Sequence, residues 1–338
     1  MKVSILGAGP AGSTAAYYLA ARGIDVELID RVAFPRDKAC AGGLFNPLSY
    51  YSEFPFIKEL KGKNINNVHL TCGERTASYT SELPVLQTFL RKDFDYFLLK
   101  NAIKQGAKFY IGKQPEGNII VNATGARRIQ DYPKTGICME YDYPVEKDFD
   151  TAYIHYLFKG IRGYCWIFPK KGYVNIGIGA HLPQRDIRDI YYSYIDYLEE
   201  RDLISIREKC YRSKIIPLAP IKRFFKDNVL ITGDAAGFVR PIGEGIFFAM
   251  MSGKLAAQTI IDKKGVSWYE LRCKEKFGRY LKPMLCGNNM ALLNKIMQKA
   301  IKISSRDKVF AKMLVENFFR FGEYDRALRL RFFRNLLK

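Results

Sequence analysis

The residues best suited to chemistry lie at the start of the chain, in the glycine-rich run GAGPAG at residues 7–12. An apolar run at residues 3–6 precedes it and small residues at helical spacing follow it, which predicts a strand, a tight turn and a helix. Such a turn lets a pyrophosphate approach the backbone at the helix N-terminus, where free N–H groups favour anions. Asp30 ends the next predicted strand, 18 residues after Gly12, close to where a ribose-binding carboxylate is expected. The predicted dinucleotide contacts here are Gly7, Gly9, Pro10, Ala11, Gly12, Asp30 and Arg31.

A second cluster of small and acidic residues lies far along the chain, in the run GDAAG at residues 233–237. Asp234 follows an apolar predicted strand, and the small residues after it leave room for a bulky ligand. Gly243 and Gly245 then begin a predicted helix, whose N-terminus can stabilise negative charge on a reduced ring system. The two clusters together indicate a flavin that is bound by both ends of the sequence.

These motifs resemble the flavoproteins with the glutathione-reductase/p-hydroxybenzoate-hydroxylase type of FAD fold. The segment 91–98 is similar to that group's R-x-x-F-D-x-x-L pattern, and the segment 122–125 to its short Ala-Thr-Gly element. The resemblance implies that Asp234 binds the ribityl or ribose region of FAD and that residues 243–246 lie beside the flavin pyrimidine. The further cofactor contacts that it implies are Arg91, Ala123, Gly125, Gly233, Asp234, Gly243, Gly245 and Ile246.

Within that group, roughly residues 1–265 resemble the geranylgeranyl reductase family. The segment 34–44 is similar to the family's loop of a cysteine followed by glycines, and residues 163–179 carry a pattern like its Y-x-W-x-F-P-K and V-x-I-G-x-G strands. The resemblance implies saturation of prenyl double bonds by hydride from reduced FAD. It implies catalytic roles for Cys40, Gly42 and Gly43 and substrate contacts for Tyr164, Trp166 and Phe168. The chain is short at 62–82 and 111–121 and its tail differs, which leaves the identity of the substrate open.

Cys40 is the residue that we expect next to the reacting carbon. The sequence leaves open whether its thiol donates a proton, shapes the pocket or reacts otherwise, and a small buried hydrophobic residue is the competing interpretation. The same competition applies to the aromatic residues around 141–168, because the cores of sheets are commonly aromatic. For Tyr164, Trp166 and Phe168 together, the motif favours a substrate wall.

The order of the motifs predicts an α/β protein with a Rossmann-like FAD-binding domain, an antiparallel-sheet substrate domain and a C-terminal helical segment. The predicted FAD domain is discontinuous and covers 1–50, 84–125 and 210–264. The predicted substrate domain covers 51–83 and 126–209, and the helical segment covers 265–338. The predicted substrate domain has strands at 135–143, 151–158, 164–168 and 173–181, and a helix at 187–203.

The formal net charge of +20 favours an anionic partner, and a membrane surface suits a lipid substrate better than a nucleic acid, for which no motif is evident. The basic and apolar tail at 326–338 is a candidate anchor. The seven cysteines form no C-x-x-C pair and the three histidines are scattered, so we expect no metal and a reducing cytosol, with any membrane contact peripheral. We see neither a signal peptide nor a transmembrane run in the sequence.

Three other functions compete with a prenyl reductase. A flavin monooxygenase or halogenase is disfavoured, because residues 159–163 lack an expected aspartate and Tyr164 replaces the first tryptophan of a W-x-W pair. A quinone-linked electron-transfer flavoprotein remains open. A prenyl-lipid carrier without flavin would be expected to lose the phosphate glycines and Asp234, which this chain keeps. The electron donor is expected to be a ferredoxin-like protein or NAD(P)H.

Overall fold

The computed structural model describes residues 1–146, 148–240, 243–286 and 290–319. The chain forms two compact units, each assembled from three segments. The first unit comprises residues 1–38, 91–136 and 215–287, and the second comprises 39–90, 137–214 and 288–338. The loop that carries Cys40 therefore groups with the second unit, whereas the sequence-based boundaries had placed it in the FAD domain.

The described residues form sixteen strands and eight α-helices. The strands are β1 Lys2–Leu6, β2 Asp25–Asp30, β3 Gly43–Phe45, β4 Lys63–Ile65, β5 Asn67–Cys72, β6 Arg75–Thr80, β7 Leu86–Thr88, β8 Lys108–Ile111, β9 Ile119–Asn122, β10 Thr135–Pro144, β11 Thr151–Tyr156, β12 Gly163–Lys170, β13 Tyr173–His181, β14 Arg212–Pro217, β15 Phe225–Lys226 and β16 Val229–Ile231. The helices are α1 Pro10–Ala20, α2 Pro47–Glu53, α3 Arg91–Lys104, α4 Ile187–Glu199, α5 Ile246–Ile261, α6 Val266–Cys286, α7 Met290–Ser304 and α8 Lys308–Phe319.

The first unit is built on a six-stranded sheet in the order β15-β16-β9-β1-β2-β8. All its pairings are parallel except the hairpin of β15 and β16. The central strand β1 is apolar and its middle residues are buried, as expected for a parallel strand covered on both faces. Helix α1 packs against α3 and α5. This arrangement confirms the predicted Rossmann-like fold, and it gathers the carboxyl ends of β1, β2 and β9 at one edge, where such folds bind nucleotides.

The second unit contains a seven-stranded sheet in the order β14-β10-β13-β12-β11-β5-β6, to which β10 contributes most of its length and β14 half of its length. The four predicted strands are present as β10 to β13, and the predicted helix ends at Glu199 as α4. The sheet is not wholly antiparallel as predicted, because β5 runs parallel to β11. No hairpin joins these two strands, since the chain passes through the first unit between them, and so their direction is not constrained.

The two faces of this sheet separate the aromatic residues that the sequence grouped together. One face packs on α4 and forms a core that includes Tyr143, Cys165 and Ile167 together with Tyr191 and Tyr194 of the helix. Because side chains alternate along a strand, Tyr164, Trp166 and Phe168 lie on the opposite face. Tyr141, Tyr153 and Phe158 pack against the α4 core, so the core interpretation holds for them.

Stability should depend on pH through His155 in this core. Its Nδ1 lies 2.8 Å from the Tyr194 hydroxyl, and burial, Arg201 and His69 lower its pKa from 6.5 to about 4. The folded state therefore keeps the ring neutral while the unfolded chain protonates it below 6.5. The free energy of unfolding should be highest above pH 6.5 and fall by about 3 kcal/mol as the pH approaches 4. Urea titrations across this range should show a shallower fall in His155→Gln, and an identical slope would contradict the assignment.

The predicted C-terminal helical segment is confirmed for the described residues, but it does not form a single appendage. Helix α6 belongs to the first unit, where Tyr269 donates its hydroxyl to the Ile231 carbonyl oxygen at 2.8 Å. Helices α7 and α8 belong to the second unit and contact β6, and Tyr79 donates to Glu316 at 3.2 Å. The proposed anchor at 326–338 lies outside the described residues. Among the helices that the structure describes, none has the length and apolar content needed to cross a bilayer.

Candidate flavin site and substrate face

The glycine-rich turn after β1 has the close packing that its sequence predicts. Gly7 adopts a φ of +102°, and a Cβ there would lie 2.4 Å from the Ala123 carbonyl oxygen. A Cβ on Gly12 would lie 1.8 Å from the Gly7 carbonyl oxygen. Helix α1 begins after Gly9 with Pro10 in its first turn, with no side-chain cap and no acidic residue there. The N-terminus of α1 thus keeps the N–H groups and the partial positive charge that favour a phosphate.

Asp30 is fixed at the carboxyl end of β2 by backbone donors. Its carboxylate accepts from the Ala8 N–H at 2.8 Å and from the Arg31 N–H at 2.7 Å. The carboxylate therefore joins β2 to the glycine turn, next to the place where a ribose would follow the pyrophosphate. Arg31 contacts Asp30 through its backbone.

The later motifs of the first unit meet the glycine turn at the same sheet edge. Ala123 donates its N–H to the Leu6 carbonyl oxygen at 2.8 Å, which places the Ala-Thr-Gly element after β9 beside the carboxyl end of β1, and Gly125 has a positive φ. A Cβ on Gly233 would lie 3.2 Å from the Ala11 side chain, so the GDAAG turn packs on α1. Gly245 precedes α5, whose first residue is Ile246, and a Cβ on Gly245 would lie 3.2 Å from Asp234 Oδ1. Gly243 adopts a φ of +81° in the turn before the helix.

A cluster of cations lies beside this edge of the sheet, and only one of its members was predicted from the sequence. Arg91 forms a two-pronged hydrogen bond with the buried carboxylate of Asp95, at 2.9 Å for each contact. Arg36 reaches the same carboxylate at 3.6 Å, and its Nη2 lies 3.8 Å from the Cβ position of Gly9. Desolvation lowers the pKa of Lys38, and the charges of Arg91 and Arg36 lower it further, while Asp234 and Asp95 raise it. Arg91 and Arg36 share the single carboxylate of Asp95, which leaves a surplus of positive charge beside α1 that fits a bound pyrophosphate.

Of these cations, only Arg91 was predicted from the sequence, and Arg36 and Lys38 were not. Both lie in the segment 34–44, from which the family resemblance implied roles for Cys40, Gly42 and Gly43 only. The sequence signal that could have revealed Arg36 and Lys38 was the position of these basic residues, after the glycine turn and Asp30 and before Cys40.

In the second unit, the Cys40 loop is held by the strand β10 and by its own glycines. The Cys40 N–H donates to Glu140 Oε1 at 3.3 Å, and the Gly42 N–H donates to Cys40 Sγ at 3.4 Å. Gly42 has a φ of +68°, and a Cβ there would lie 2.2 Å from the Phe89 carbonyl oxygen and 3.0 Å from Lys170 Nζ. Gly43 begins β3, which pairs with β7. The loop therefore turns tightly with its thiol accepting a hydrogen bond from its own backbone.

Beside this loop lies a buried charge network that the sequence analysis did not predict. Arg212 donates to Glu140 Oε1 at 3.1 Å and to Asp142 Oδ2 at 2.8 Å. Lys170 donates to Asp142 Oδ1 at 2.6 Å. Burial and the charge of Asp142 raise the pKa of Glu140, while Arg212 and Lys170 lower it. For Asp142, the bonds and charges of its three neighbours outweigh burial, and its pKa is lowered. Two acids two residues apart in an apolar strand were a signal of this network.

The predicted substrate residues form a continuous row of rings on the same face of the sheet. The ring centroids of Tyr156 and Tyr164 are 5.7 Å apart, as are those of Tyr164 and Trp166. Trp166 and Phe168 follow at 6.2 Å, and Phe168 meets Phe45 of β3 at 6.4 Å. Gly177 lies directly against the indole of Trp166, where a Cβ would come within 2.2 Å of the ring and only glycine fits. A long apolar wall of this kind suits an extended hydrocarbon chain.

Comparisons with known proteins agree with this architecture. Residues 5–35 match the family model described as NAD(P)-binding Rossmann-like domain. The chain is 33% identical to an uncharacterised protein of Methanosarcina barkeri, over 76% of this chain and 74% of that protein. It is 27% identical to the digeranylgeranylglycerophospholipid reductase of Methanococcus vannielii, over 82% of this chain and 83% of that enzyme.

Two solved structures share the fold. A geranylgeranyl bacteriochlorophyll reductase-like protein from Thermoplasma acidophilum superposes with a TM-score of 0.76 and 22% identity, over 90% of this chain and 91% of that chain. A triple mutant of a flavin-dependent brominase superposes with a TM-score of 0.66 and 18% identity, over 99% of this chain and 98% of that chain.

The parallel sheet and the glycine turn with its cations define a dinucleotide-binding protein. Among such proteins, this chain is a relative of the enzymes named digeranylgeranylglycerophospholipid reductase and geranylgeranyl diphosphate reductase.

Proposed function

We propose that the protein is an FAD-dependent reductase that saturates the prenyl double bonds of an isoprenoid lipid. The observation that carries the proposal is the row of rings from Tyr156 to Phe45, which shares one sheet face with the network that holds the Cys40 loop. The name of the Methanococcus vannielii relative supports a prenylated glycerophospholipid as the substrate class.

The residues of the first unit would hold FAD. Gly9 and the N-terminus of α1, with Arg36, Lys38 and Arg91, would receive the pyrophosphate, and Asp30 would receive a ribose. Asp234 and residues 243–246 would contact the ribityl and ring region. When bound and reduced, FAD supplies the hydride equivalent that alkene reduction requires.

The residues of the second unit would bind and orient the alkene. Tyr164, Trp166 and Phe168 would hold the chain extended and exclude water, which favours a reaction at an unactivated double bond. Hydride addition to one carbon leaves the other carbon in need of a proton. Cys40 would lie beside that carbon, where its thiol can donate the proton or shape the site.

Two partners complete the proposal. The electrons that reduce the flavin come from a ferredoxin-like protein or from NAD(P)H, and comparing flavin reduction by each donor under anaerobic conditions identifies which one. The lipid reaches the enzyme at a membrane surface, which the positive net charge favours when the surface is anionic.

The experiment that tests the proposal is a single-turnover reaction. The cofactor is released by denaturation and identified by mass as FAD, and the holoenzyme is reduced with dithionite without oxygen. Adding a geranylgeranylated glycerophospholipid should restore the absorbance of oxidised flavin in proportion to the lipid. Reoxidation only after oxygen is admitted, with a hydroxylated or halogenated product, would instead favour the monooxygenase or halogenase function. Lipid binding by colourless protein would favour the carrier.

A further inference from the structure

One chain of hydrogen bonds in the second unit joins the loop of Cys40 to the indole of Trp166. The Cys40 N–H donates to Glu140 Oε1 at 3.3 Å. The other carboxylate oxygen, Oε2, accepts from the side-chain amide of Asn175. The Asn175 carbonyl oxygen accepts in turn from Trp166 Nε1 at 2.7 Å. A single carboxylate therefore connects two elements that the sequence analysis assigned to the reaction from separate motifs.

The connection is rigid because its members are buried and each depends on the next. Glu140 and Asn175 have no exposed surface, and Trp166 is 4% exposed. The Asn175 amide donates to Glu140 and also to Asp142 at 2.8 Å, so only its oxygen can face the indole N–H. Turning the amide over would bring two donors together at Trp166 and leave buried groups without partners, which is costly.

Glu140 is also the member of this connection that forms an ion pair. Arg212 donates to both carboxylate oxygens of Glu140, at 3.1 Å and 3.3 Å. Asp142 accepts hydrogen bonds from Arg212 and Lys170. Two carboxylates thus face two cations. An amide at position 140 would leave a surplus positive charge and would direct an NH2 group at the donors of Arg212 and Asn175.

We propose that Glu140 is a positioning residue, which sets the Cys40 loop and the Trp166 ring in one fixed arrangement. The effect of Glu140 on the reaction rests on the proposed function, because Cys40 and Trp166 act on one substrate only if the protein is a prenyl reductase. The arrangement itself is a property of the folded chain and can be measured without substrate.

The first test measures both ends of the connection in the Glu140→Gln holoprotein. Alkylation of Cys40 by iodoacetamide, followed by peptide mass spectrometry, should become about five-fold faster, the factor expected from losing one hydrogen bond. The partly exposed Cys72 and Cys210 serve as internal references. The 19F resonance of fluorotryptophan at position 166 should shift, and Trp268→Phe assigns it because the chain has two tryptophans. The matched control is Tyr194→Phe, which removes a hydrogen bond to His155 on the other face of the sheet.

The second test asks whether the two ends are coupled. Trp166→Phe keeps an aromatic ring but removes the indole donor, and it should also accelerate Cys40 alkylation. If the connection runs through Glu140, the double variant Glu140→Gln/Trp166→Phe should be alkylated no faster than Glu140→Gln alone, because the second change breaks a connection already lost. If the increases in alkylation rate of the two single variants multiply in the double variant, the proposal is overturned. Alkylation of Cys40 at the wild-type rate in Trp166→Phe would also overturn it. This measurement on Trp166→Phe can still be made if Glu140→Gln fails to fold.

Turnover separates this proposal from the proposed function. In the presence of an accepted prenyl lipid, Glu140→Gln should lower kcat by about 10- to 100-fold with KM within about two-fold, as expected when reacting groups are misplaced. Unchanged kcat would overturn the positioning role. If the wild-type protein reduces no prenyl lipid while Glu140→Gln still shifts both probes, the proposed function fails and the structural connection stands.

Discussion

Replacing Gly12 by valine should abolish flavin binding. A Cβ at this position would lie 1.8 Å from the Gly7 carbonyl oxygen and 3.1 Å from Ile5, so α1 must move away from β1 and the pyrophosphate position is lost. The measurement is the ratio of flavin absorbance to protein after purification, with circular dichroism to confirm folding. Full flavin occupancy in Gly12→Val would contradict the assigned site.

Two further variants make this test independent of general damage. Within the part of the chain that the structure describes, a Cβ on Gly9 would approach only Arg36, at 3.8 Å, so Gly9→Val should fold normally and still lose flavin by occupying the space of the phosphates. Gly265 has comparable room, with Ser267 at 3.9 Å, but lies at the start of α6 away from the glycine turn. Gly265→Val should therefore keep its flavin.

The second large effect is expected at Cys40. Cys40→Ala should keep flavin and lipid binding but slow the reoxidation of reduced flavin by prenyl lipid by about 10²–10⁴-fold, the usual contribution of a positioned proton donor. Stopped-flow absorbance under anaerobic conditions measures this single turnover directly.

Cys72→Ala is the matched control for Cys40, because Cys72 is also a partly exposed free thiol of the second unit. It should react at the wild-type rate. A wild-type rate in Cys40→Ala as well would return Cys40 to a packing role, and the proton would have to come from another group.

Local patterns explain which parts of the fold could be predicted. The turn at residues 7–12, the strand end at Asp30 and the four strands β10 to β13 are each determined by neighbouring residues, through strand periodicity and glycine spacing. Their extents are accordingly close to the prediction. The parallel pairing of β5 with β11 was missed because it joins segments separated by a passage through the first unit.

The candidate site could be predicted in its motifs but not in its connections. Arg36 and Lys38 meet Asp95 only after β2 and α3 are brought together, so spacing along the chain does not reveal their cluster. Glu140 bonds to Arg212 at a sequence separation of 72 residues and to Cys40 at a separation of 100 residues. Pairings of this range depend on the register of the sheet, which a single sequence does not specify.

Addition of hydrogen to prenyl double bonds by this protein should be visible in the mass of the lipid product. The dithionite-reduced holoenzyme is incubated without oxygen with a panel of geranylgeranylated lipids, and the extracted lipids are analysed by mass spectrometry. The products should gain two hydrogens for each bond reduced, with deuterium incorporated when the reaction is run in D2O. Lipids recovered unchanged throughout the panel from a flavin-loaded, fully reduced enzyme would contradict it.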